Sequence, residues 1–238
     1  MGNQISEHVD QAQKTGILQL RGFKLYKIPP EVFTVTQFLR NLDLSNNRLN
    51  IITSNLFINA KILKNLNLSN NRIESISTEI GYCLKLESLD LSHNILTCLP
   101  KGIEQLKNLK KINLSNNQLD TIPSELGHLA QLDFIDLSQN KIEKIDDNVQ
   151  NLNCIELNLN ENRIRFISDK IAKCSRLKVT RLEKNALEAK AIPVSLLKDS
   201  QVSLINFEGN LFSKKEFEQI EGYEKYMERY TATRRKFD

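Results

Sequence analysis

An α/β solenoid is the fold that this 238-residue chain predicts, with a curved parallel sheet on a concave face, irregular, 3-10 or short helical segments on a convex face, and a helical cap at each end. The first observation behind this reading is a period. Asn47, Asn71, Asn94, Asn117, Asn140, Asn162, Asn185 and Asn210 follow one another at spacings of 24, 23, 23, 23, 22, 23 and 25 residues. Each stands three residues after an aliphatic or aromatic residue and two before another, so one unit recurs along nearly the whole chain. Leu18-Gln-Leu20-Arg-Gly-Phe23-Lys-Leu25 continues the frame upstream with Phe23 in the asparagine slot, for about nine units in all. The second observation is the alternation inside a unit. In Leu86-Glu-Ser-Leu89-Asp-Leu91-Ser-His-Asn94, Leu89 and Leu91 flank an outward Asp90 as a short strand requires, so each unit adds one strand to a parallel sheet.

Taken in chain order, residues 1–16 form an amino-terminal segment whose Ile5, Val9 and Ala12 have helical spacing, with Ser6 as the expected N-cap of a helix over Ser6 to Lys14. Residues 17–212 are the repeats. After each strand the asparagine turns inward, where its amide pairs with backbone groups that water does not reach. Segments such as Leu99-Pro-Lys-Gly-Ile103 and Ile122-Pro-Ser-Glu-Leu126 follow, where proline disfavours a strand while the spaced aliphatics still point inward. Residues 213–238 supply a second cap helix and a basic tail. From Lys214 to about Arg229, an apolar stripe of Phe217, Ile220, Tyr223, Met227 and Tyr230 is expected to seal the last repeat. A single repeat does not bury its own apolar face, which is why both ends need covers.

Composition narrows the function. Lys and Arg number 33 against 29 Asp and Glu, and the small excess is interspersed with acidic residues, unlike a nucleic-acid footprint. The densest basic run, Lys173, Arg176, Lys178, Arg181, Lys184 and Lys190, is broken by Glu183 and Glu188. Cys83, Cys154 and Cys174 occupy leucine slots and Cys98 is expected to meet solvent, with no zinc-like spacing among them. The absence of a hydrophobic leader, of an 18-residue apolar run and of cysteine caps leads to the expectation of a reducing, cytoplasmic setting.

One motif marks chemistry done to the protein. Met1-Gly2-Asn3-Gln4-Ile5-Ser6 has the N-myristoylation pattern, a glycine exposed by methionine removal with serine four residues on. One acyl chain holds a protein to a membrane only marginally, and Arg234, Arg235 and Lys236 are the nearest thing to a second, electrostatic signal. The expected location is therefore cytoplasmic and peripherally membrane-bound through Gly2.

Catalysis is not expected. The central outward column, Gln19, Asp43, Asn67, Asp90, Asn113, Asp136, Asn158, Arg181 and Asn206, sets its carboxylates two strands apart, roughly 10 Å, too far to share a calcium ion. Asp90, Ser92 and His93 lack a glycine-flanked nucleophile and an oxyanion pocket. No cofactor, metal, nucleic acid or small-molecule substrate is expected, and the chain reads as a monomer that binds protein partners on its concave face. The flanking column, Ile17, Asn41, Asn65, Ser88, Lys111, Phe134, Glu156, Val179 and Leu204, turns apolar late. Phe134, Val179 and Leu204, beside Lys178 and Arg181, are the predicted protein-binding residues.

The repeats, Leu-x-x-Leu-x-Leu-x-x-Asn-x-Leu followed by Ile-Pro-x-x-Ile or Leu, resemble the intracellular, Ras-group class of leucine-rich repeat proteins. Met1-Gly2-Asn3, Ala12-Gln-Lys-Thr-Gly16 and the tail Glu221-Gly-Tyr-Glu-Lys-Tyr-Met-Glu-Arg-Tyr-Thr-Ala-Thr233 extend the resemblance to small myristoylated members of that class. The resemblance implies a lipid-anchored, non-enzymatic scaffold or adaptor, with small-GTPase-linked signalling by analogy to the wider group. A competing reading is an intracellular recognition module of innate immunity. Thr53, Ser77, Asp146 and Ser168 depart from the proline of the consensus.

Overall fold

In a computed structural model the protein is described over residues 2–234, with side chains for 4–233. The chain forms two compact units, Met1–Gln118 and Leu119–Asp238. In the first, helix α1 (Gly2–Thr15) leads into strands β1 (Ile17–Gln19), β2 (Asn41–Asp43), β3 (Asn65–Asn67), β4 (Ser88–Asp90) and β5 (Lys111–Asn113), paired in that order and all parallel. In the second, β6 (Phe134–Asp136), β7 (Glu156–Asn158), β8 (Val179–Arg181) and β9 (Leu204–Asn206) pair in the same way. This is the leucine-rich repeat solenoid that the period predicts.

Every strand presents one buried residue between two outward ones. Leu18, Leu42, Leu66, Leu89 and Ile112 are in register in the first unit, and Ile135, Leu157, Thr180 and Ile205 in the second. Thr180 is the exception to an all-aliphatic row. It is fully buried and its hydroxyl has no hydrogen-bond partner among the described residues. A buried, unpaired hydroxyl costs about 1–3 kcal/mol, so the near-isosteric Thr180→Val should raise stability by about 1 kcal/mol or more. Thermal unfolding of the two proteins checks this; an unchanged or lowered midpoint would mean that the hydroxyl is satisfied after all.

The inward asparagines work as the pattern implies. Asn94 donates through Nδ2 to the carbonyls of Leu68, Leu91 and Ser92, while its Oδ1 accepts from the Ile73 N–H. Asn117, one repeat on, and Asn185, four repeats on, make the same arrangement with their own neighbours. Opposite the sheet run 3-10 segments, including Thr78–Tyr82 and Lys101–Gln105 in the first unit and Ser124–His128, Asp147–Asn151 and Asp169–Lys173 in the second. Pro100 and Pro123 sit at the N-caps of two of them. At two of the four positions where proline is missing, Asp146 and Ser168 accept from the N–H groups of Asn148 and Lys170 and start the turn by a side-chain cap, whereas Thr53 and Ser77 make no such bond.

Both caps differ from expectation in detail. Helix α1 begins at Gly2, so Ser6 lies inside it and is not the N-cap. Burial of Ile5 along with Val9 and Ala12 keeps the preceding turn helical; a cap at Ser6 would leave Ile5 outside the helix. At the other end the single expected helix is two, α2 (Lys214–Glu218), with a Ser213–Glu216 capping box, and α3 (Tyr223–Arg234). Gly222 breaks them at φ +91°, a left-handed value that side chains rarely adopt. Phe217 is buried as expected, but the second buried aromatic is Tyr226, outside the predicted stripe. Its hydroxyl accepts from the Ile205 N–H of β9, a main-chain group at the exposed edge of the last strand, and Arg229 donates to the carbonyls of Val202 and Leu197. The seal is thus polar as well as apolar, and burial pushes the Tyr226 phenol above its ordinary pKa. Arg235 and Lys236 of the basic tail lie outside the described residues.

The buried thiols fit their leucine slots. Burial raises Cys83 and Cys154 to about 12 and Cys174 to about 11, while Cys98 is exposed. Raised pKa values leave almost no thiolate at neutral pH, so a thiol reagent should label Cys98 alone in the native protein and all four after denaturation. Rapid native labelling of more than one thiol would contradict the packing.

Candidate interaction surface

The outward side chains of the sheet fall into two kinds. Six of the nine in the central column, the Asp and Asn residues from Asp43 to Asn158, are committed to their own backbone. Asp43 Oδ1 accepts from the Ser45 N–H at 2.8 Å, Asp90 from Ser92 at 2.9 Å, Asp136 from Ser138 at 2.9 Å, and Asn67, Asn113 and Asn158 do the same for Ser69, Ser115 and Asn160. Alternating Asp and Asn therefore close the turn that leaves each strand. Asp90 also accepts from the Ser92 hydroxyl at 2.7 Å, so this serine is tied into the turn and is not poised as a nucleophile. The turn itself is tight: Asn46, Asn70, His93 and Asn116, and in the second unit Gln139, Glu161 and Lys184, all have φ between 52° and 56°.

The flanking column carries the candidate site. The register places Phe134, Glu156, Val179 and Leu204 side by side on successive strands of the second unit, the row that the sequence predicts. All four are half-buried, and Lys178 just before β8 is exposed. Arg181, at the central position of β8, reaches across to Glu156, donating from Nε to Oε1 at 2.6 Å. The structure thus brings the predicted residues together, with one change of meaning. Arg181 is not a free cation; it neutralises the acidic residue that separates Phe134 from Val179. The face reads as apolar, paired charge, apolar, apolar. Lys178 lies at the rim and donates to Gln201 Oε1 at 3.2 Å.

Three more members of the basic run pair with carboxylates. Arg176 donates to Asp133 Oδ1 at 2.5 Å and to the Asn153 carbonyl at 2.9 Å, Lys184 meets Glu161 at 3.3 Å, and Lys190 meets Glu188 at 2.6 Å. These pairs stitch neighbouring repeats or lie in water. The pairing partners lie 23 to 43 residues away for Arg176 and Lys184, so counting charges along the sequence alone did not reveal them.

Known proteins share this architecture. The Leucine rich repeat family model matches residues 16–73, 37–96 and 84–142, more than half of the chain. The protein is a repeat-built binding module of the solenoid class. It belongs to the leucine-rich repeat family. Among solved structures it is similar to internalin C2 from Listeria monocytogenes, at 20% identity and a TM-score of 0.71, covering 85% of this chain and 92% of that one. The LRR ectodomain of the plant membrane receptor kinase GASSHO1/SCHENGEN3 from Arabidopsis thaliana, solved in complex with Casparian strip integrity factor 2, is 27% identical with a TM-score of 0.61 over 77% of this chain. A TDR receptor gives 22% identity and a TM-score of 0.68 over 82% of this chain. This chain spans only 22% and 34% of those last two.

Proposed function

We propose that the protein is a non-enzymatic scaffold or adaptor that binds a protein partner on the outward sheet face of its second unit and is held to the cytoplasmic face of a membrane by a myristoyl group on Gly2. The observation that carries the binding site is the row Phe134, Val179 and Leu204 around the Glu156–Arg181 pair. An aromatic anchor beside aliphatics and an arginine is the composition of interface hot spots, whereas the corresponding row of the first unit reads Ile17, Asn41, Asn65, Ser88 and Lys111 and offers a partner less apolar area after its first member. A leucine-rich repeat ectodomain solved in complex with Casparian strip integrity factor 2 supports a recognition role for this architecture. The motif at Gly2 and Ser6 supports the anchor, and the Ras-group resemblance of the repeats supports a place in small-GTPase-linked signalling.

Affinity purification with mass spectrometry, on wild type beside Gly2→Ala, Phe134→Ala and Arg181→Gln, tests both halves. Intact mass of the eukaryotically expressed wild type should show loss of methionine and gain of one C14 acyl group, and Gly2→Ala should move the protein to the soluble fraction with unchanged melting. A free or acetylated amino terminus removes the anchor. Phe134→Ala should weaken the partner recovered by wild type by about tenfold or more. Partner binding that survives both sheet variants but is lost on changing the exposed Asn65 or Lys111 would put the surface in the first unit.

A further inference from the structure

The first unit has a second surface that the fold does not require. Ile58, Tyr82 and Leu84, exposed to 45%, 56% and 55%, line a groove of about 770 Å³ with Lys61, Lys85 and Gln105. Gly81 forms part of its floor. The repeats provide an internal comparison for these positions. Tyr82 stands in the slot filled over the next four repeats by Gln105, His128, Asn151 and Lys173, and Leu84 in the slot of Lys107, Ala130, Asn153 and Ser175. Polar or small residues therefore satisfy this loop in those repeats, whereas the large apolar side chains here stand more than half exposed. Ile62, exposed to 42%, enlarges the apolar area on the same loop as Ile58.

Charge indicates what the groove takes. Lys61 and Lys85 are exposed and meet no carboxylate among the described residues, in contrast to Lys64 and Lys110 nearby, which both pair with Glu87 at 3.1 and 2.9 Å. The complementary ligand combines large apolar anchors with carboxylates. Geometry separates a protein segment from a membrane surface. The groove residues come just before β3 and β4, on the edge where strands begin, and Gly16 is on that same edge, its carbonyl accepting from Arg40 and Asn41 at the start of β2. Helix α1 runs back from there against β1: the His8 ring meets edge-on, at 5.5 Å, the ring of Phe23, four residues beyond the end of that strand. Gly2 therefore lies toward the opposite edge, one helix length of about 20 Å away. A bilayer holding an acyl chain on Gly2 would approach the edge away from the groove, leaving the groove open to solvent.

We infer that the groove between Ile58, Tyr82 and Leu84, rimmed by Lys61 and Lys85, binds an acidic amphipathic peptide segment of a protein partner. This site is separate from the sheet face and stands whether or not that face binds a partner. The test starts from a random 16-residue peptide library displayed on phage and selected against the full chain, with the enriched peptides then synthesised. Asp or Glu together with large apolar residues should dominate the selected peptides. Tyr82→Gln with Leu84→Lys, which installs the residues that the next repeat tolerates in these slots, should leave melting unchanged and weaken those peptides about tenfold or more. Lys61→Glu with Lys85→Glu should do the same through charge, with a loss that shrinks at high salt. The inference is overturned if no peptide is selected, if selected peptides lack acidic residues, or if they bind both double variants as well as wild type. Sedimentation of the unacylated protein with phosphatidylserine vesicles supplies the other arm: wild type and variants should sediment alike, and a loss in the variants alone would make the groove a membrane contact instead.

Discussion

Replacing Asn117 with leucine should destabilise the protein by about 3 kcal/mol or more, because a buried donor or acceptor left without a partner costs roughly 1–3 kcal/mol and this side chain serves several. Its Oδ1 accepts from the Leu96 N–H at 3.0 Å, and its Nδ2 donates to the carbonyls of Leu91 and Leu114 at 3.0 Å and of Ser115 at 3.3 Å. Leucine fills the same space and answers none of them. The exposed Lys111→Ala, on the strand before it, should change stability by no more than about 0.5 kcal/mol. Urea unfolding of both variants decides the matter. Similar midpoints would show that the repeated asparagine is packing filler, and the account of how one repeat is joined to the next would fail with it.

Gly102→Ala should be comparably damaging, at about 3 kcal/mol, the upper range for overpacking a rigid site. A Cβ at this position would sit 1.8 Å from the backbone oxygen of Thr78 and 3.1 Å from the Gly81 nitrogen, and one on Gly81 would come within 2.8 Å of the Gly102 oxygen. The 3-10 segments Thr78–Tyr82 and Lys101–Gln105 are thus packed backbone against backbone, with no flexible side-chain tip to yield. Lys101→Ala, one residue away and exposed, is the control and should be nearly silent. Thermal unfolding that shifts equally little for both would mean that the two segments part easily. Since Gly81 also lines the groove, Gly102→Ala is expected to weaken groove-binding peptides as well, which the slot-matched change at Tyr82 and Leu84 separates from loss of fold.

What the sequence by itself determined is whatever recurs with the repeat. The asparagine period, the alternation around Leu89 and Leu91, and the leucine-slot cysteines each report a local requirement that one unit must satisfy to stack at all, so the strands, their register and the flanking row Phe134, Glu156, Val179, Leu204 were legible before any coordinates. Two of the departures from the consensus are local as well, since Asp146 and Ser168 cap the turns where proline is absent. What only the tertiary structure decided is where side chains go once repeats are stacked. The central Asp and Asn residues fold onto their own turns instead of facing a ligand, Arg181 spends its charge on Glu156, and Tyr226 and Arg229 close the last strand through hydrogen bonds to residues 21 to 32 positions away. The groove at Ile58, Tyr82 and Leu84 exists only because stacking sets two successive loops side by side. Each of these depends on a distance across repeats, and a pattern with a period near 23 residues fixes which residues become neighbours without fixing which of them will bond.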